Sequence, residues 1–451
     1  MTKLSSCMKV FALLFLAGAA VPLLAQKLTT LHSFENSDSY FPYAGVIQGT
    51  NGDFFGAGSD GGSVGGGSIF KMTVKGALTP IYSFPAGSNP ARDLVQGADG
   101  DFYGATADGG ENSDGSIYKI TAGGGLTTLH SFDSTDGKNP YDALVQASNG
   151  DFYGTTSEGG ASGDGTVFKI TKSGTFTSLH SFTGKDGKDP SGDLVQGANG
   201  DFYGLTEFGG AHNGGTVYKI TPGGKLNTLH SFAGKDGALP VGYLIEAANG
   251  DFYGTTADGG ANGDGTIFEI TPSGTLTTLL SFTSAAGQTG DLVLGTDGNL
   301  YGETEGGGAN DHGSIFKVTP AGTLTTEHSF DTTDGAEPLG ALVQGTDGDF
   351  YGTTMQGGTN NLGTVFSFSM GLGPFVKIEP TSGIVGADVK ILGSELTGAT
   401  SVTFNGDAAT FTVVSSSEIS TTVPAGATTG KVQVVTTGGT LLSNVNFSVT
   451  P

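Results

Sequence analysis

One tetrapeptide, Asp-Phe-Tyr-Gly, constrains this chain more than any other feature. It begins at Asp101, Asp151, Asp201, Asp251 and Asp349, with variants at Asp53 (Asp-Phe-Phe-Gly) and Asn299 (Asn-Leu-Tyr-Gly). Successive copies stand 48 or 50 residues apart. So regular a period means one structural unit used seven times, each unit burying its apolar face against its neighbours.

Each unit reads as four short runs of β-branched and aromatic residues separated by turn signals. In the third copy these runs are 143–146, 152–156, 166–171 and 176–182. Asn149-Gly150 predicts a two-residue type I′ hairpin, which needs positive φ at both central positions. Every copy has Asn-Gly or Asp-Gly there, from Asn51-Gly52 to Asp347-Gly348. A Gly-rich loop, 158–165, leads to the third run, and Ser173-Gly174 turns the chain into the fourth. No stretch keeps a helical period. Four antiparallel strands repeated seven times predict an all-β seven-bladed β-propeller over residues 27–370.

The seventh copy has its first three strands, ending at 364–368, and no fourth. A segment of the missing type stands near the start of the chain, Leu28-Thr29-Thr30-Leu31-His32-Ser33-Phe34. If it completes the last unit, the ring closes and no open strand edge remains. Leu28, Leu31 and Phe34 are the side chains expected to be buried there.

Composition agrees. The 451 residues include 81 Gly, with no third-residue periodicity, and 29 Phe and 13 Tyr, too many aromatics for a disordered linker. Lys and Arg number 19 against 43 acids, and Arg92 is the only arginine, so nucleic acid is a poor partner. Lys3 and Lys9, an apolar run from Val10 to Ala20 and a cut before Gln26 predict a signal peptide over 1–25 and a secreted, periplasmic or cell-surface protein. Cys7, the only cysteine, falls within it. No second hydrophobic segment predicts membrane insertion, and a soluble monomer is expected.

From Pro374 the repeat stops. Ile378-Glu379-Pro380-Thr381-Ser382-Gly383, Val389-Lys390-Ile391-Leu392-Gly393, Val402-Thr403-Phe404-Asn405-Gly406 and Val423-Pro424-Ala425-Gly426 follow in an order that resembles an IPT/TIG domain. That resemblance implies an immunoglobulin-like β-sandwich over 374–451, used in exported bacterial proteins as a spacer or adhesion module. The repeats themselves resemble the bacterial GloVer (Gloeo/Verruco) tandem repeat. The resemblance is carried by the Asp-Phe-Tyr-Gly-Thr-Thr cores, Gly-Gly doublets such as Gly159-Gly160, and Leu-His-Ser-Phe strands. It implies an exported protein and brings no catalytic residues. Kelch-type propellers share the doublet and the period, but their characteristic Trp is absent here.

In an antiparallel unit the loops after strands two and four share one end, and the tight turns share the other. The long loops, such as 133–142 and 158–164, are acidic and Gly-rich, and their end is the candidate interaction surface for an extracellular glycan or protein. Asp136, Asp186, Asp236 and Asp334 recur in one long loop, and Asp164 and Asp264 in the other. Calcium is the cofactor such acids suggest, and turn formation is the more economical reading. His32, His130, His180, His230 and His328 share one position that Tyr82 and Leu280 also occupy, which points to strand residues and not to ligands. His212 and His312 form a non-repeating pair without a third metal ligand. Catalysis on a symmetric ring needs residues that break the symmetry. Glu246 replaces a recurring Gln, Glu303 and Glu305 replace small or apolar residues, and Arg92 is unique. Glu246 and Glu303 are therefore the candidates for acid–base chemistry at the ring centre. A non-catalytic binding or scaffold role is the favoured expectation, and a carbohydrate-active hydrolase or lyase is the alternative.

Overall fold

The computed structural model describes residues 27–36, 38, 40, 42, 45–283 and 289–450; the predicted signal peptide, 1–25, lies outside them. The repeats form seven four-stranded sheets. Sheets 1 to 6 occupy 46–85, 95–131, 145–181, 188–231, 238–281 and 289–329 in chain order. Sheet 7 takes Val343–Gln344, Phe350–Thr354 and Thr364–Ser369, and adds Lys27–Ser33 as its fourth strand. That pairing is antiparallel, running from Lys27 opposite Ser369 to Ser33 opposite Thr364. Phe34 is fully buried beyond it. Leu28 and Leu31 are only half-buried, because they lie on the outermost strand.

The tetrapeptide recurs because it joins one sheet to the next. Its Tyr stacks on the Phe of the following copy: Tyr103 on Phe152 at 3.9 Å, Tyr153 on Phe202 at 4.1 Å and Tyr203 on Phe252 at 4.1 Å between ring centroids. Tyr351 packs on Phe54 in the same way at 4.1 Å, so sheet 7 meets sheet 1. Its Gly makes room for the aromatic ring across the strand pair; a Cβ on Gly154 would lie 2.7 Å from Phe168 Cζ. A second joint uses the Gln that ends most of the first strands. Gln146 Oε1 accepts the Ala98 N–H at 2.9 Å, and Gln48 Oε1 accepts the Thr346 N–H at 3.0 Å, again across the join between sheets 7 and 1.

The hairpin turns differ from the type I′ expectation. Ala147 N–H donates to Asp151 O at 2.9 Å and Gly150 N–H to Ala147 O at 2.8 Å, which encloses three residues. Gly150 alone of these takes positive φ (84°), whereas Asn149 does not. The turn is therefore a type I turn followed by a left-handed glycine, the usual three-residue hairpin. Asn149 serves it through its side chain, whose oxygen accepts the Asp151 N–H at 3.0 Å.

Residues 377–449 form two further sheets around one core that includes Val376, Ile378, Ile391, Phe404, Ile419, Val432 and Phe447. This unit sits on the hairpin-turn end of sheets 7 and 1. Ser417 Oγ donates to Thr50 O at 2.9 Å, and Phe375 N–H donates to Thr346 O at 3.0 Å. Among the described residues no helix is long and apolar enough to cross a membrane.

Candidate functional site

Each first strand runs from the long-loop end toward the hairpin turns, so the residues just before it meet near the axis at the long-loop end. The residue two places before the recurring Val or Ile is Gly45, Asp93, Ala143, Asp193, Tyr243, Asp291 and Ala341 in sheets 1 to 7. The pattern alternates. The Asp of each even sheet accepts the backbone N–H of the preceding odd sheet. Gly45 donates to Asp93, Ala143 to Asp193 Oδ1 at 2.7 Å, and Tyr243 to Asp291 Oδ1 at 3.1 Å. One place earlier stand Arg92, Asp142 and the glycines Gly192, Gly242, Gly290 and Gly340.

Arg92 reaches across the ring. Its Nη1 lies 3.7 Å from Asp291 Oδ2, with the guanidinium side chain 36% exposed and that of Asp291 4% exposed. Asp142 accepts the Gly192 N–H and, at 3.3 Å, the hydroxyl of Thr155. Glu303 occupies in sheet 6 the second-strand position that Thr155 holds in sheet 3, which directs it toward this same axial group. It is fully buried, and neither carboxyl oxygen has a hydrogen-bond partner. Asp93 Oδ1 is likewise buried without one.

The electrostatics follow from this crowding. Burial, with the nearby charge of Asp291, pushes Asp93 up to about 7 against the pull of Arg92. Burial and the three neighbouring aspartates raise Asp193 well above the carboxylate range. Burial raises Asp142 and Asp291 in spite of Arg92. Burial and Asp291 raise Glu303 well above its ordinary value. For Arg92, burial is outweighed by Asp291, Asp142, Asp193 and Asp93, which hold it charged. One guanidinium thus faces four aspartates, while Glu303 is buried near Asp291, and burial works against the charged form of each carboxyl.

The candidates singled out from sequence fall in different places. Arg92 and Glu303 belong to the axial group. Glu246 does not: it ends its strand at the hairpin-turn end and accepts the Ala198 N–H at 3.1 Å, the joint that Gln makes elsewhere. The structure does not bring Glu246 and Glu303 together. Asp136, Asp186, Asp236 and Asp334 each bind a histidine of the fourth strand. The Oδ2 to Nε2 distances are 2.9, 2.9, 2.7 and 2.8 Å for His130, His180, His230 and His328. Their second oxygens accept backbone N–H groups, as Asp186 Oδ1 does from Thr183 at 2.9 Å. Asp164 lies 3.6 Å from Lys188 Nζ, and Asp264 lies in a loop bridged to Gly259. Among the described residues no group of three or more His, Cys, Asp or Glu is arranged to hold a metal ion; His212 is exposed and His312 half-buried.

Asp93, Asp142, Asp193, Tyr243 and Asp291 were not evident as site residues from sequence, because they stand in separate copies about 50 residues apart. The signal that could have found them is the comparison of copies at the position before Leu94, Leu144, Leu194, Leu244 and Leu292, where charged residues break the repeat. The histidine pairing also had a signal. Each of these His residues precedes its Asp by six positions, and where Tyr82 and Leu280 replace His, Ser88 and Ala286 replace Asp.

The sequence matches the Gloeobacter/Verrucomicrobia repeat over residues 20–147, 82–250 and 193–413. A search of curated proteins finds no match. Several solved structures are similar. Virginiamycin B lyase from Staphylococcus aureus is 16% identical, with 76% of this chain and 98% of that one covered and a TM-score of 0.53. A fungal alcohol oxidase of the AA5 family, in complex with copper, is 15% identical, covering 94% and 99%, with a TM-score of 0.56. The WD40 β-propeller domain of Doa1 is 12% identical, covering 76% and 97%, with a TM-score of 0.52. At such identities the likeness carries the fold alone, an all-β propeller-like architecture.

Proposed function

The chain belongs to the Gloeobacter/Verrucomicrobia repeat family, and we propose that it is an exported, non-catalytic binding or scaffold protein whose long-loop end takes a glycan or protein. In this reading the seven four-stranded sheets are the blades of one seven-bladed propeller, closed by the N-terminal strand. Residues 374–451 are an IPT/TIG-like immunoglobulin fold acting as spacer or adhesion module, and residues 1–25 direct export of a soluble monomer.

The observation that carries the proposal is the distribution of residues that break the repeat. Arg92, Asp93, Asp142, Asp193, Tyr243, Asp291 and Glu303 all gather at the axis toward the long-loop end. The C-terminal unit is bonded to the opposite end and leaves that one uncovered. An open groove of about 400 Å³ lined by Thr332, Thr333, Gly358, Thr359 and Asn361 adds hydroxyl and amide groups on the same end. Such groups suit a polar ligand.

A second reading has one observation in its favour. Asp93, held at about 7 beside the charged Arg92, has the protonation balance of a general acid, as a carbohydrate-active hydrolase or lyase would require. A polysaccharide panel scored for retention and for new reducing ends or unsaturated sugars separates the two. Retention without new ends supports binding. Turnover abolished by Asp93→Asn replaces it with catalysis, and neither retention nor turnover refutes both.

A further inference from the structure

We propose that the folded chain cuts itself between Asp189 and Pro190, with the Asp189 carboxyl as nucleophile and one water as co-reactant.

Five copies carry a proline where the chain enters the axial segment: Asn89-Pro90, Asn139-Pro140, Asp189-Pro190, Leu239-Pro240 and Glu337-Pro338. The residue before each proline takes positive φ, from 46° at Asn89 to 57° at Asp189. A residue before proline prefers extended backbone, and a side chain at positive φ is strained in any case. At Asp189 the surroundings impose that conformation. Its N–H donates to Asp164 O at 3.0 Å. Pro190 is buried opposite Thr206 in sheet 4, with its ring against Gly165, where an added Cβ would lie 2.4 Å from Pro190 Cδ. The strained bond is therefore fixed between sheets 3 and 4.

Only one copy carries the group that can use this strain. Asp189 is the sole aspartate in the chain followed by proline, and its side chain has the length to close a five-membered ring on its own carbonyl carbon. In two other copies the matching side chain is tied to the end of the second strand. Asn89 Nδ2 donates to Asp108 Oδ2 at 2.7 Å, and Glu337 Oε2 accepts from Gln356 Nε2 at 2.6 Å. The corresponding residue in sheet 4 is Phe208, whose ring has no such group to offer. Burial and the charge of Glu158 push the Asp189 carboxyl up against the pull of Lys188. Glu207 and Tyr141 also feel its charge, and Lys188 is shared with Asp164 at 3.6 Å. Asp189 thus keeps its proton into milder acid than an ordinary aspartate.

The step balances without an oxidant or reductant. An Asp189 carboxyl oxygen bonds to Asp189 C, the bond from that carbon to the Pro190 nitrogen breaks, and the carboxyl proton passes to the nitrogen. The cyclic anhydride takes up one water and opens to the two carboxyl groups of a C-terminal Asp189. The two pieces stay joined. Tyr153 stacks on Phe202 at 4.1 Å and Gln196 Oε1 accepts the Ser148 N–H at 3.0 Å, both between sheets 3 and 4. The product is a circle of sheets nicked at one place.

The test is incubation of the full chain from about pH 4 to about pH 7, with and without guanidinium chloride, followed by intact-mass spectrometry. Wild type, Asp189→Leu and Phe208→Gln are compared, with circular dichroism to verify folding. Leucine already stands at the matching position 239 with φ 50°, and glutamine at 208 recreates the Glu337–Gln356 pair. Folded wild type should give two fragments, one ending at Asp189 and one beginning at Pro190. They should form at least about tenfold faster than from the denatured chain at the same pH, the order of gain that such strain supplies. The rate should fall as the carboxyl ionises, at a higher pH in the folded chain than in the denatured one. Asp189→Leu should abolish the cut, Phe208→Gln should slow it, and the nicked protein should run as one species until denatured. Equal rates in folded and denatured chains, the same fragments from Asp189→Leu, or intact wild type throughout overturns the proposal. An unslowed Phe208→Gln overturns the role given to the unheld carboxyl.

Discussion

Phe34→Ala should destabilise this protein as much as Phe132→Ala, although one residue follows the strand Lys27–Ser33, far in sequence from the rest of its sheet, and the other lies inside a continuous repeat. Both are fully buried at the end of an outer strand. Each meets the aromatic ring of the adjoining third strand edge-on, Phe70 at 5.6 Å and Phe168 at 5.3 Å. Truncating a fully buried Phe to Ala costs about 3–5 kcal/mol, a large share of a typical total of about 5–15 kcal/mol. Position 34 follows the strand that covers the edge of Thr364–Ser369 and carries Leu28 and Leu31. Urea unfolding followed by far-ultraviolet circular dichroism gives both costs on one scale. A wild-type midpoint for Phe34→Ala, with a lowered midpoint for Phe132→Ala, would show that the first strand does not hold the ring closed. Equal losses would show that the join between sheets 7 and 1 is as strong as any other.

Three further outcomes follow from the site and the joints. Glu303 has a raised folded pKa, so the unfolded chain releases its proton first and stability falls as pH rises above about 4.3, the unfolded value. Glu303→Gln should therefore raise the melting temperature at pH 8 and leave it unchanged at pH 4, and a lowered value at pH 8 contradicts the placement. Asp236 is the opposite case: burial pushes its carboxyl up, but the Ala233 N–H and His230 outweigh burial and the net shift is downward. Its contribution is present above about pH 4 and is lost as pH falls through the lower folded value, so the melting-temperature gap between wild type and Asp236→Asn should close in acid. Glu246→Gln should be neutral, because the amide oxygen keeps the Ala198 N–H, whereas Glu246→Ala should cost about 0.5–1.5 kcal/mol in chemical denaturation.

Much of this fold was legible because the repeat repeats its chemistry as well as its spacing. The Tyr and Phe of the tetrapeptide announce a joint, and the missing fourth strand of the last copy announces its partner at residues 28–34. The hairpin type was not legible, since Asn149-Gly150 suits two turns that differ by one enclosed residue, and strand register decides between them. The axial group was half legible. Arg92 and Glu303 stand out as departures from their copies, but Asp93, Asp193 and Asp291 resemble ordinary loop acids until a ring brings positions about 50 or 100 residues apart to one axis. Glu246 stands out equally and does something else, because an acid can replace Gln wherever only its acceptor oxygen is used.

The join between sheets 7 and 1 sets the order in which the protein can be completed. The Asn360 side-chain amide donates to Phe34 O across 326 residues. A ribosome adding about 5–20 residues per second needs roughly 16–65 s to span that interval. Throughout it the first strand has been made and its partner has not. Sheets 1 to 6 can form in turn behind the exit site, each from local hairpins, but the circle waits for Thr364–Ser369. The C-terminal unit follows Thr364–Ser369 in the chain, and its bonds fall on Thr50 and Thr346, one on each side of the join. Fastening thus comes after closure, at the place where the circle was last open.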